Sequence, residues 1–300
     1  AVVALVWLVH ARTSAPQPRT APAPAPALAG RPPGANAAAP ARPAGLTPNA
    51  CQLQPPAGPD RHTIVFVDPG HGGVDPGALG ATSSGATVKE KDVTLAVGLR
   101  LMRKLQADGY SVLMSRTTDT AVAALGAGDT DQDGLTAAGE HRDTLARVQC
   151  ANTGKAQLLL AMHLNSFDYP SVGGAETIYD SVRPFAGDNQ RFAALVQRHL
   201  LDSFAAHGWT VPDRDIKDDG DLGAPGLTAA ADNYGHLLEL GPSQPGWLDD
   251  PSHMPGVLTE PLFVTDRVEA DIAVSQDGQE AMAAGLEKAI QAFLSGASAR

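Results

Sequence analysis

Cysteine is nearly absent from the 300 residues: there are two, Cys51 and Cys150, and no Cys-x-x-Cys pair. That excludes a disulfide mini-scaffold, the common zinc ribbons and a thioredoxin-type dithiol, so a metal here has to be held by histidines and carboxylates. Basic charge is also scarce, with 22 Lys and Arg against 33 Asp and Glu and a net charge of −11. Residues 1–60 hold four Arg and one Asp, or +3, which leaves −14 on the remainder. A body that acidic has no basic face with which to displace counterions from phosphates, and nucleic acid is set aside as a partner. No apolar run approaches the roughly 20 residues that a bilayer requires. The longest, residues 1–9 (AVVALVWLV), opens a chain without an initiator Met. Read as the remnant of a signal peptide or membrane anchor over 1–13, it sends the rest of the chain outside the cytoplasm. A G-x-S-x-G elbow and an H-E-x-x-H helix are missing too, which removes two common hydrolase designs. There is no internal repeat.

What is present divides into two regions. Residues 1–60 contain 13 of the 24 prolines and long Ala-Pro runs. Residues 14–60 therefore read as a disordered, extended linker of polyproline type, whose use is reach. Residues 61–296 are long enough to bury most of their apolar surface in one domain. Continuous apolar runs at 63–67, 111–115, 158–162, 177–179 and 236–240 read as strands. Between and after them, helices are expected over 89–108, 143–153, 189–207 and 279–294. The first is well signalled, with Val93, Val97, Leu101 and Leu105 at four-residue spacing, Glu90 and Asp92 in the opening turn and Gly109 past the end. This alternation predicts a single α/β domain with a mostly parallel twisted sheet and helices on both faces.

Ligands in such sheets gather beyond the carboxyl ends of the strands, and that is where the polar clusters fall. His71 lies in the glycine turn Asp68-Pro-Gly-His-Gly-Gly73 after the first strand, and His163 and Asn165 follow the strand at 158–162. Glu239 ends the apolar run His236-Leu-Leu-Glu-Leu-Gly241. Taken alone, His71 reads as a turn residue, Glu90 as a carboxylate favoured by the helix dipole, and His163 as a rim histidine. A carboxylate ending an apolar strand, as Glu239 does, must be paired or partly desolvated, which suits a general base.

In order along the chain, Asp68-Pro-Gly-His-Gly-Gly73, Glu90-Lys-Asp-Val93, Ser115-Arg-Thr-Thr-Asp119, His163-x-Asn165 and Leu238-Glu-Leu-Gly241 resemble the zinc-dependent N-acetylmuramoyl-L-alanine amidases of the Amidase_3 type. The resemblance spans about 63–294. It implies zinc on His71, Glu90 and His163, with Glu239 as the catalytic acid/base and Asn165 and Arg116 as candidate substrate contacts. The implied substrate is peptidoglycan, cut at the amide between N-acetylmuramic acid and L-alanine by an extracytoplasmic enzyme expected to act as a monomer. Ala161-Met-His163 replaces the family's usual Ser-Ile-His without removing a ligand. A non-catalytic peptidoglycan-binding homologue and a zinc peptidase acting within the stem peptide remain as alternatives.

An insertion before His163 fits the EF-hand template, with Asp129, Asp131, Asp133, the Leu135 carbonyl and Glu140 as expected calcium donors at residues 129–140. The stretch before it, 121–128, is a poor entering helix. Cys51 and Cys150 either pair across a loop of about 100 residues or stay as thiols; export favours pairing.

Overall fold

The computed structural model describes residues 45–132, 134–222 and 228–296. The predicted leader at 1–13, most of the predicted linker and Asp133 lie outside them. In chain order the elements are β1 (Ala50–Gln54), β2 (Ile64–Pro69), the hairpin β3 (Leu79–Ala81) and β4 (Thr87–Lys89), α1 (Glu90–Ala107) and β5 (Ser111–Arg116). A small hairpin of β6 (Thr130–Asp131) and β7 (Gly134–Leu135) then leads into α2 (Ala137–Thr153), β8 (Leu158–Met162), β9 (Ala175–Tyr179) and α3 (Ala186–Ala206). The chain continues through β10 (Asp213–Asp218), a 3-10 turn (Asp219–Asp221), α4 (Ala229–Tyr234), β11 (Gly256–Glu260), α5 (Arg267–Val274) and α6 (Gln276–Leu294). No helix among the described residues is long and apolar enough to cross a membrane.

Seven strands form one sheet in the order β1-β5-β2-β8-β11-β9-β10. The pairs β5/β2, β2/β8, β8/β11 and β9/β10 are parallel, while β1/β5 and β11/β9 are antiparallel. The expected mostly parallel sheet is what forms, with antiparallel pairing at the β1 edge and between β11 and β9. Alternation sends Val65, Val67, Leu158, Leu160, Met162 and Val257 to a face covered by α1, α3 and α6. Phe66, Leu113, Leu159, Ala161 and Leu258 go to the opposite face, where α2 contributes Cys150 and Ala151. Burial on both faces explains why these strands read as unbroken apolar runs.

Two expectations need correction. Residues 45–60, predicted as linker, are part of the fold: β1 pairs with β5, and Leu46 and Ala50 are buried with Val122, Ala123 and Ala146. The Cys51–Cys150 disulfide ties this edge strand to α2. Residues 236–240 are not a strand. Helix α4 closes at Gly235 (φ +67°), Leu237 donates its N–H to Asp219 Oδ2, and the N–H groups of Leu240 and Gly241 bond back to Leu237 O. Those bonds make a turn, and the place beside β8 goes to β11, which lies between Pro255 and Pro261.

Asp266 caps α5, its Oδ1 accepting from the N–H groups of Val268 and Glu269 at 2.9 Å each. Asp266→Ala is expected to cost about 1–2 kcal/mol and lower the thermal midpoint by roughly 2–8 °C. An unchanged midpoint in a thermal scan would rule out a contribution from this cap.

Candidate metal centre

Strands β2 and β8 are neighbours, with Pro69 opposite Met162, and Gly70 N–H bonds Met162 O at 2.9 Å. The residues just past their carboxyl ends, His71 and His163, therefore emerge side by side. Glu90 comes from the other direction as the first residue of α1. Its Oε2 accepts from Ala78 N–H at 2.8 Å and its Oε1 from Leu164 N–H at 2.9 Å. His71 Nε2, His163 Nδ1 and Glu90 Oε1 then lie 3.0 to 3.1 Å from one another in all three pairs.

This donor set fits a metal. His71 Nδ1 lies 2.7 Å from Asp75 Oδ2, which keeps a proton on Nδ1 and leaves Nε2 as a lone pair. That lone pair faces a carboxylate oxygen, and the one proton His163 Nδ1 can carry cannot serve both. Tetrahedral zinc with bonds of 2.0–2.1 Å places its donors about 3.3 Å apart, close to the observed spacing. Glycines keep the pocket open: a Cβ on Gly77 (φ +65°) would stand 2.6 Å from Glu90 Oε2 and from the His71 ring. One on Gly70 would stand 2.4 Å from His163 Cε1. His71 itself holds a left-handed φ of +63°, at a cost of roughly 1–2 kcal/mol for a residue with a Cβ.

The surroundings are rich in buried carboxyls. Burial opposes ionisation of Glu90, yet His71 and His163 outweigh it and hold Glu90 well below the usual carboxylate range. Burial likewise disfavours a charged His71, but Glu90 and Asp75 raise its pKa well above normal, so the surroundings call for a positive charge at Nε2, whether a second proton or a bound cation. Three more acids are pushed upward, in each case first by burial: Glu140 to about 7 with help from Asp75, Glu239 with help from Asp68, and Glu260 well above normal with help from Glu90 and Glu176.

A family model described as N-acetylmuramoyl-L-alanine amidase, Amidase_3, matches residues 65–292. The chain belongs to this amidase family. It is 33% identical over 137 residues to a germination-specific N-acetylmuramoyl-L-alanine amidase of Bacillus subtilis, covering 46% of this chain and 52% of that protein. It is 29% identical over 206 residues to the N-acetylmuramoyl-L-alanine amidase LytC of the same species, covering 69% of this chain and 30% of that protein. The chain thus spans about half the length of the first relative and under a third of the second. In fold it matches the CwlD amidase of Clostridioides difficile, solved with the GerS lipoprotein, at 22% identity and a TM-score of 0.58, over 78% of this chain and 99% of that one.

In this amidase-family domain the predicted residues divide clearly. His71, Glu90 and His163 come together. Glu239 is buried, and His163 and Arg147 act on its charge, but it sits on a turn instead of a strand. Arg116 and Asn165, the candidate substrate contacts, are both buried and hydrogen-bonded within the fold. Arg116 is fully buried, and its guanidinium donates to the carbonyls of Pro69, Gly70, Lys91 and Thr118, bracing the His71 turn. Asn165 is buried, with Nδ2 donating to Glu176 Oε1 at 2.7 Å and Oδ1 accepting from Ser166 N–H.

Among the described residues the expected calcium donors form no metal-type cluster, and Asp133 lies outside them. Asp129 accepts from Arg142 Nε at 3.0 Å and Gly126 N–H at 2.7 Å, while Glu140 is half-buried in the first turn of α2, where the charges on Asp75, His71, Glu239 and His163 act on it. The insertion folds as the β6/β7 hairpin and leads into α2, with Glu140 in its first turn.

Sequence reasoning passed over Glu260, Asp75 and Arg147. Glu260 ends β11, whose Thr259 carbonyl accepts from His163 N–H, and Glu260 pairs across the sheet with Glu176. Its Oε2 is buried with no hydrogen-bond partner. The signal was available: Val257-Leu-Thr-Glu260 is a β-prone run ending in a carboxylate, like Val65-Phe-Val-Asp68. Arg147 bridges Asp68 and Asp143 and also donates to His71 O, fixing the glycine turn from below.

Proposed function

We propose that this chain is a zinc-dependent peptidoglycan amidase that hydrolyses the bond between the lactyl group of N-acetylmuramic acid and L-alanine, outside the cytoplasm. The observation that carries this reading is the triad of donor atoms at 3.0 to 3.1 Å beside the unpartnered carboxyl oxygen of Glu260. Membership of a family named for that reaction, and relatives bearing the same name, support it. His71, Glu90 and His163 would hold the zinc, with Asp75 orienting His71. The metal supplies a Lewis acid that stabilises the negative charge developing on the amide oxygen.

The chain's own acids handle protons. A buried carboxyl with a raised pKa both receives a proton and returns it near neutral pH. We assign that role to Glu260: it stands on a rigid strand beside His163, and no other group occupies its Oε2. It takes the proton of the attacking water and delivers it to the departing alanine nitrogen. Glu239 is a second buried acid, on the turn over 236–240, with its charge influenced by Asp68, His163 and Arg147.

The test is digestion of purified peptidoglycan by the full chain, followed by mass spectrometry. Whole stem peptides with a new L-alanine amine are expected, abolished by a chelator and restored by zinc. Fragments cut within the stem would turn the reading to a zinc peptidase, and zinc binding with no cleavage would turn it to a binding homologue.

A further inference from the structure

Outside the centre already described, one more group of metal-type side chains converges among the described residues. Asp180 follows β9, Asp219 opens the 3-10 turn and His236 follows α4, and their donor atoms lie within 4.8 Å of one another. His236 Nδ1 is 3.0 Å from Asp180 Oδ2 and 3.0 Å from Asp219 Oδ1. Each carboxylate has its other oxygen occupied by backbone: Asp180 Oδ1 accepts from Val182 and Arg183 N–H, and Asp219 Oδ2 from Leu237 N–H. The two remaining oxygens face the same ring nitrogen.

Hydrogen bonding alone does not satisfy this arrangement. An imidazole nitrogen carries one proton at most, and its bond goes to Asp219. Asp180 Oδ2, on a side chain with no exposed surface, is left without a hydrogen bond. Leaving a buried acceptor of this kind unmade is costly, and two buried carboxylates that share one proton repel. The nearby Arg183 is directed elsewhere, donating to Leu240 O, Gly241 O, Ser252 O and Ser252 Oγ. The Tyr234 hydroxyl donates to Pro242 O.

We propose that Asp180, Asp219 and His236 bind a second divalent cation of the zinc class. The imidazole donor selects against calcium and magnesium, which take oxygen ligands. The 3.0 Å spacings match those of the His71 triad, and one nitrogen with two carboxylate oxygens leaves a fourth position for water. The three ligands come from the end of β9, the 3-10 turn and the turn over 236–240. A cation here cross-links these segments and pins the turn that carries Glu239. The proposal does not depend on the amidase reading.

The measurement is zinc per full-length chain after equilibration and removal of free metal. Two equivalents are expected in the parent, one in His163→Ala, one in His236→Ala and none in the double variant. Added zinc should also raise the thermal midpoint of His163→Ala. No zinc and no thermal shift in His163→Ala overturns the proposal, as does an unchanged zinc content in His236→Ala. The parent and His163→Ala leave the second cluster intact, so a folding defect in His236→Ala does not blur the outcome. Activity is not read, so failure here is separate from failure of the amidase assignment.

Discussion

Replacing Glu260 by glutamine is expected to lower kcat for cleavage of the muramoyl amide by about 10³-fold, or about 4 kcal/mol of barrier, with zinc content unchanged. Glutamine keeps the shape of the side chain but cannot take up the proton of an attacking water. The carboxyl is buried at the end of β11, its Oε2 has no hydrogen-bond partner, and Glu176 is its cross-strand neighbour. Burial, then Glu90 and Glu176, hold its proton affinity high, as a group that alternates between acid and base requires. Glu239→Gln serves as the comparison. Glu239 is also buried and also raised, but it sits on a turn and not on a strand of the sheet beside His163, and its replacement is expected to cost about tenfold or less. Steady-state kinetics on both variants, with metal analysis of each, decides between them. An active Glu260→Gln beside an inactive Glu239→Gln would reverse the two roles.

The second large effect concerns stability. Cys51 and Cys150 are 99 positions apart, and their bond closes nearly the whole first half of the sheet into one loop. On the loop-entropy account, removing a cross-link of that span costs about 4–5 kcal/mol. Cys51→Ala/Cys150→Ala is therefore expected to unfold roughly 9–18 °C below the parent. The parent in reductant should shift in the same direction. The loss falls where the fold has least else to hold it, because β1 is an edge strand with one neighbour, β5. Below its transition the variant should still bind zinc, since His71 and His163 follow β2 and β8 and Glu90 opens α1, none of which is β1. A thermal midpoint unmoved by the substitution and by reductant would show that β1 is held by its pairing with β5 and the Leu46 and Ala50 packing alone.

Much of the centre was legible in the sequence, for a local reason. An apolar run broken by a glycine turn predicts a strand that stops, so His71 had to emerge at a strand end. The same logic placed His163, and the spacing of Val93, Val97, Leu101 and Leu105 placed Glu90 at a helix start. All three statements rest on patterns a few residues long. The EF-hand template is local too. It matches the types and spacing of Asp129 to Glu140 and carries no information on where each carboxylate turns, and Arg142 and Gly126 take Asp129.

The sequence by itself determined the α/β class, the strands bearing the two histidines and the helix opened by Glu90, because hydrophobic periodicity and turn chemistry act over short stretches. Tertiary structure alone decided which of two glutamates ending apolar runs stands on a strand. It likewise decided that Cys51 meets Cys150, and that Asp180, Asp219 and His236 share one point. Those outcomes depend on the register of β11 between β8 and β9 and on the closing of loops tens of residues long, and short-range patterning carries no information about either.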